Sequence, residues 1–172
     1  MAEADPASRF RGLLLPELGY LRRLGLALAG SRPAGDELVQ ESVLRALRYF
    51  ESYKGENFRA WMAAIMRNTH RDRPRVVPVP VDDEVLRNIA DKSPDPEQLV
   101  VTKSNATRLR GMVAALPEAL REVLVLREFG DLSYAQIATT LGVPVGTVMS
   151  RLSRARDDLR TAWRAEDKGV AS

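Results

Sequence analysis

The chain has 172 residues, 45% of them apolar and 28% charged, a balance that suits a globular protein with either one ordinary domain or two small ones. It contains no cysteine and a single histidine, His70, which excludes disulfides and thiolate metal sites and leaves no histidine cluster, so no metal or other cofactor is expected. No apolar run reaches the roughly 18 residues that a membrane span requires. Residues 1–6 also lack the basic-then-apolar layout of a signal peptide, so a cytoplasmic protein without membrane insertion is expected.

In chain order, Pro16 opens a helix in which Leu18, Leu21, Leu24 and Leu28 recur at helical spacing, and Gly30 with Pro33 closes it. Asp36 is the expected cap of a second helix with Val39, Val43, Ala46, Leu47 and Phe50 as its buried stripe. A polar loop with Lys54 and Gly55 follows. Asn57 then caps a third helix with Phe58, Trp61, Met62 and Ile65 facing inward, which Pro74 must end. Residues 73–96 hold five prolines, an extended run at 76–81 and an acidic patch at 82–84, and read as a linker with one helical turn at 85–89. Asp95 and Pro96 start a further helix through Leu99, Leu109, Met112 and Val113, and Pro117 reopens the chain into another that ends at Gly130. Ser133 and Gln136 have the spacing of a capping box, Gly142 is a natural stop, and Pro144 starts a last helix to about Arg164. The fold class is therefore all-α, with two small helical domains at 1–74 and 96–172 and a Pro-rich linker at 75–95.

The net charge of +3 is modest, but 22 of the 26 basic residues are arginine, and guanidinium groups suit phosphate and base-edge contacts. The arginines also cluster. Residues 58–75 hold five against one aspartate, and residues 144–164 hold five against two.

The second cluster coincides with a helix, a glycine turn and a helix over residues 132–160, the layout in which the second helix enters a DNA major groove. On a helical wheel Val148, Leu152, Ala155 and Leu159 share one face. Gly146, Thr147, Ser150, Ser153, Arg154 and Asp157 share the opposite face, flanked by Met149 and Arg151. Small residues there let the backbone approach base edges, and the arginines reach guanine or phosphate. An ordinary helical hairpin with solvated arginines is the plainer alternative.

The run LPEALREVLVLREFGDLSYAQIATTLGVPVGTVMSRLSRAR resembles the fourth conserved domain of RNA polymerase sigma factors, which reads the minus-35 promoter element. DELVQESVLRAL followed by FRAWMAAIMRNTHRD is similar to the second conserved domain, which binds the polymerase clamp helices and melts the minus-10 element. The two blocks without further domains are the layout of the extracytoplasmic-function class. The resemblance implies Thr147, Met149, Ser150, Arg151, Ser153 and Arg154 as the minus-35 set. Glu37, Gln40, Glu41 and Leu44 are implied as the surface for core polymerase, through its beta-prime clamp helices, with the beta flap as a further contact. For minus-10 DNA it implies Tyr53, Lys54, Asn57 and Arg59 as the loop that captures an unstacked base. Arg67, Asn68 and Arg71 belong to the same set, and Arg73 and Arg75 add phosphate contacts. By sequence alone Leu44 is more readily a stray surface leucine, and Trp61 reads as core.

Four positions depart from the family pattern: Glu37 where Asp is common, Met149 where Arg or Lys is common, Pro74 where relatives continue a basic helix, and His70 where an apolar residue is usual. The partners implied are core polymerase, promoter DNA and an anti-sigma protein that covers residues 37–44 and the recognition helix, with no small-molecule substrate. Two other readings stand beside this one. A self-sufficient helix-turn-helix regulator accounts for the last fifty residues only and calls for a dimerisation seam that the chain lacks. An enzyme calls for a phosphate loop, a nucleophile-base pair or clustered carboxylates, and none is present in the sequence.

Overall fold

The computed structural model describes residues 5–74 and 96–170, with side chains at 5–74 and 105–167. The expected linker at 75–95, with its extended run and helical turn, lies outside the described residues, as does Asp95. Among the described residues all regular structure is helical. The helices are α1 (Pro6–Leu14), α2 (Leu18–Ala29), α3 (Arg32–Tyr49), α4 (Phe58–Asp72), α5 (Pro96–Ala115), α6 (Glu118–Glu128), α7 (Tyr134–Leu141) and α8 (Val145–Val170).

The first domain packs α1–α4 around Leu21, Leu24, Leu38, Met62 and Met66, all fully buried. Helix α1 is an addition to the expected elements. Its only buried residue is Phe10, so it carries little periodic signal, yet Phe10 sets the edge of its ring against Phe50 at 5.2 Å. A single 3-10 turn at Leu15–Glu17 joins α1 to α2. Gly30 ends α2 in the left-handed conformation (φ 81°), as expected.

The expected cap at Asp36 is corrected. Ser31 caps α3, its side chain accepting from the Ala34 amide at 3.4 Å, and Asp36 lies inside the helix. Pro33 therefore does not close α2; it sits in the first turn of α3, where the missing N–H has no intrahelical partner to lose. The buried stripe of α3 is Leu38, Val39, Ser42 and Ala46, and Leu47 is 45% exposed rather than in the core. Helices α2 and α3 cross where Gly25 meets Gly35, close enough that a Cβ on Gly25 would stand 2.9 Å from the Gly35 carbonyl oxygen.

In the second domain, Leu116, Leu120, Val123, Leu126, Leu132, Ile137, Val148, Leu152 and Ala155 form the buried set. Helix α8 continues beyond the expected end at Arg164 to Val170. Arg108 of α5 holds that extension, stacking on the Trp163 ring at 4.1 Å and pairing with Glu166 and Asp167 at 2.6 Å each. The two domains are not separate beads, because their buried residues join in one hydrophobic cluster.

Candidate nucleic-acid interface

The helix-turn-helix is built from local signals. The Ser133 hydroxyl accepts from the Gln136 amide at 3.2 Å while the Gln136 side chain accepts from the Ser133 amide at 2.8 Å, a complete capping box at the start of α7. Gly142 takes φ 65° at its end, and the Val143 amide reaches back to the Ala138 carbonyl at 3.1 Å. Pro144 accepts from the amides of Thr147 and Val148, which starts α8 in the right direction. Arg127 donates to the Leu132 carbonyl at 2.8 Å and lies over the Tyr134 ring, and so fixes the approach to α7.

Val148, Leu152 and Ala155 pin α8 to this frame. The opposite face is open: Gly146, Met149, Ser150, Ser153 and Arg154 are exposed, and Thr147 and Arg151 are half-buried. The Ser150 hydroxyl donates to the Thr147 carbonyl of its own helix. Among the described residues Arg151 and Arg154 have no ion-pair partner, whereas Arg156 pairs with Glu128 and Arg160 with Asp157. The two arginines named for DNA are thus left unneutralised by the fold.

The first domain divides its expected DNA set differently. Lys54, Asn57, Asn68 and Arg71 are exposed. The Asn57 side chain is already used, capping α4 by accepting from the Ala60 amide at 3.1 Å. Tyr53 is not a free loop aromatic. It stacks on Phe50 at 5.9 Å, contacts Phe58 and Trp61, and donates its hydroxyl to the Glu56 carbonyl at 2.6 Å. This cluster holds the loop against α4. Arg59 pairs with Glu17 at 2.6 Å and lies over the Tyr20 ring, and Arg67 makes a two-pronged contact with Glu122 of the other domain at 2.9 and 3.3 Å. Arg73 is drawn back to Glu41 and the Ala34 carbonyl.

On α3, Glu37, Gln40 and Leu44 are exposed, and Leu44 stands 60% open. Glu41 is partly engaged, accepting from Arg73 and lying 3.9 Å from Arg45, which in turn pairs with Asp72. The sequence reading missed that Leu47 and Tyr49 (62% exposed) stand open on the same helix. Among the described residues no group of three or more acidic, histidine or cysteine side chains is placed to hold a metal ion, and no helix is long and apolar enough to cross a membrane.

These two faces coincide with two family models: sigma-70 region 2 matches residues 13–75 and sigma-70 region 4 matches residues 106–159. The chain is 33% identical to the ECF RNA polymerase sigma factor EcfG of Rhodopseudomonas palustris, over 85% of this chain and 80% of that one. It is 32% identical to the ECF sigma factor SigE of Mycolicibacterium smegmatis over 80% of its own length, but spans only 55% of that protein. Among solved structures, the sigma factor RpoE of Bartonella quintana, in complex with the anti-sigma factor NepR, superposes with a TM-score of 0.66 at 22% identity, covering 91% of this chain and 97% of that one. With both regions in order and a relative of matching length, the chain belongs to the ECF sigma factors of the sigma-70 family.

Proposed function

We propose that this sigma factor divides its labour as its two exposed faces suggest. Glu37, Gln40, Glu41 and Leu44 of α3 bind the clamp helices of core polymerase, the 53–59 loop with Arg67, Asn68 and Arg71 engages the minus-10 strand, and the α8 face reads the minus-35 element. The domain limits that go with this are 1–74 and 96–172. The observation that carries the reading is the contrast on α8, where one face is buried and the other offers small residues and two unpaired arginines. Such a face is shaped for a groove rather than for a protein core. Polymerase supplies the chemistry, and tethering both domains to it raises the effective concentration of each at its own half of the promoter. An anti-sigma protein that covers the same faces would hold the factor off, and a protein of this fold is found in complex with the anti-sigma factor NepR.

Two substitutions separate the roles. Arg154→Ala weakens promoter binding by about 1–3 kcal/mol in a sequence-dependent way while leaving core binding intact. Leu44→Ala weakens core binding with little change in stability, because the side chain is exposed. Equal losses on all DNA sequences for Arg154→Ala would reduce that residue to a phosphate contact. Unaltered core affinity for Leu44→Ala would remove α3 from the polymerase surface.

A further inference from the structure

Most of helix α1 precedes the segment matched by sigma-70 region 2, which begins at residue 13. The fold nevertheless gives it a definite seat. Phe10 sets its ring against Phe50 at 5.2 Å and against Phe58 at 6.1 Å, which holds α1 against both ends of the segment that carries the 53–57 loop. Phe10 and Leu14 pack into the core, while Arg9, Gly12 and Leu13, spaced three and four residues along the helix, are exposed. Together with Tyr53 and Gly55 these three line an open cleft of about 450 Å³.

The cleft has the chemistry of a nucleotide site. Its volume falls within the roughly 300–1,000 Å³ of small-ligand sites. A Cβ on Gly12 would meet nothing within 4 Å, and the same holds for Gly55 on the loop side, so both leave open space where a side chain would stand. Arg9 is the one charged residue of the lining and has no ion-pair partner among the described residues. Glu51 and Glu56 of the neighbouring segment do not line it. The Tyr53 hydroxyl already donates to the Glu56 carbonyl, and the Asn57 side chain caps α4, so both are engaged within the fold. What remains is an apolar and aromatic wall beside a free guanidinium, which suits the flat face of a base and the phosphate attached to it.

We propose that α1 forms one wall of a cleft that receives an unpaired nucleotide of the promoter strand, with Arg9 on its phosphate and Gly12 leaving room for its base. The proposal rests on the minus-10 role of the 53–59 loop given above and extends that surface to a helix outside it. Because the lining offers shape more than hydrogen-bond partners, the cleft admits a base by size, and Gly12 sets the limit.

The test uses holoenzyme assembled with core polymerase and a promoter fragment whose minus-10 strand is left unpaired. Gly12→Phe fills the cleft from an open position. It is expected to weaken binding of the fragment about tenfold, the worth of one base contact, with core binding and helical content by circular dichroism unchanged. Arg9→Ala is expected to weaken it comparably and to lower the salt slope by about 0.7, the share of one phosphate on a single strand, whereas Arg9→Lys keeps the slope. Arg11→Ala removes an exposed arginine of the same helix that does not line the cleft, and is expected to change binding little. Undiminished binding by Gly12→Phe, or equal losses for Arg9→Ala and Arg11→Ala, would overturn the role of α1. If Lys54→Ala still weakens binding in that case, the minus-10 reading of the loop stands without α1; if it does not, that reading falls as well. Binding of a free nucleoside monophosphate to the factor without DNA, lost in Gly12→Phe while the unpaired strand is still held, would make the cleft a small-ligand site and overturn the strand as its occupant.

Discussion

Gly35→Ala is expected to destabilise the first domain although alanine is the better helix former. In an open helical position the exchange stabilises by up to about 1 kcal/mol. At Gly35 the added Cβ would lie 2.9 Å from the Leu26 nitrogen, 3.0 Å from the Leu26 Cα and 3.1 Å from the Gly25 carbonyl carbon. Carbon contacts are favourable only from about 3.5 Å outward, so α2 and α3 must part by about half an ångström. All three atoms belong to backbone, so no side-chain rotation relieves the overlap. Overpacking of this kind costs about 1–3 kcal/mol, which leaves a net loss of up to about 2 kcal/mol after the propensity gain. Gly111→Ala in α5 is the internal control, since a Cβ there would meet nothing within 4 Å. Urea unfolding followed by circular dichroism should show opposite signs for the two variants. A Gly35→Ala chain as stable as Gly111→Ala would refute the close crossing of α2 and α3, and with it the placement of the α3 face.

Loss of the capping box in Ser133→Ala should cost about 1 kcal/mol and reduce minus-35 binding without abolishing it; unchanged unfolding would show that the cap is idle. His70 supplies a pH dependence. Partial burial, then the positive charges of Arg73 and Arg121, lower its pKa below the usual 6.5, so the unfolded chain takes up this proton more readily than the folded one. The stability contributed by neutral His70 is therefore present above pH 6.5 and declines as the pH falls through that value, levelling off below the lowered folded pKa. The His70→Gln variant should lack this component, and equal pH slopes for the two proteins would contradict the assignment.

The second domain was largely legible because its signals are local. Ser133 with Gln136, Gly142 and Pro144 each specify a backbone event within a few residues, and all act as read. The first domain was less so. Pro33 after Gly30 looks like punctuation, and only the structure shows that it sits in the first turn of α3, with Leu38 buried and Leu47 exposed. Helix α1 buries one side chain and so carries no period to detect. The free or engaged state of the arginines was beyond the sequence altogether. Arg67 and Arg154 look alike in a basic segment, but the partner of Arg67 lies 55 positions away, a pairing set by how the domains pack and not by any local pattern.

The central claim, that this chain brings core polymerase to promoters through these two domains, is tested most directly by run-off transcription with purified core polymerase and genomic promoter fragments, with and without the protein. Initiation at defined start sites only when both proteins are present, and reduced in Arg154→Ala and Leu44→Ala, is the result expected. Specific DNA binding by the protein alone, with no binding to core polymerase and no start sites, would contradict it.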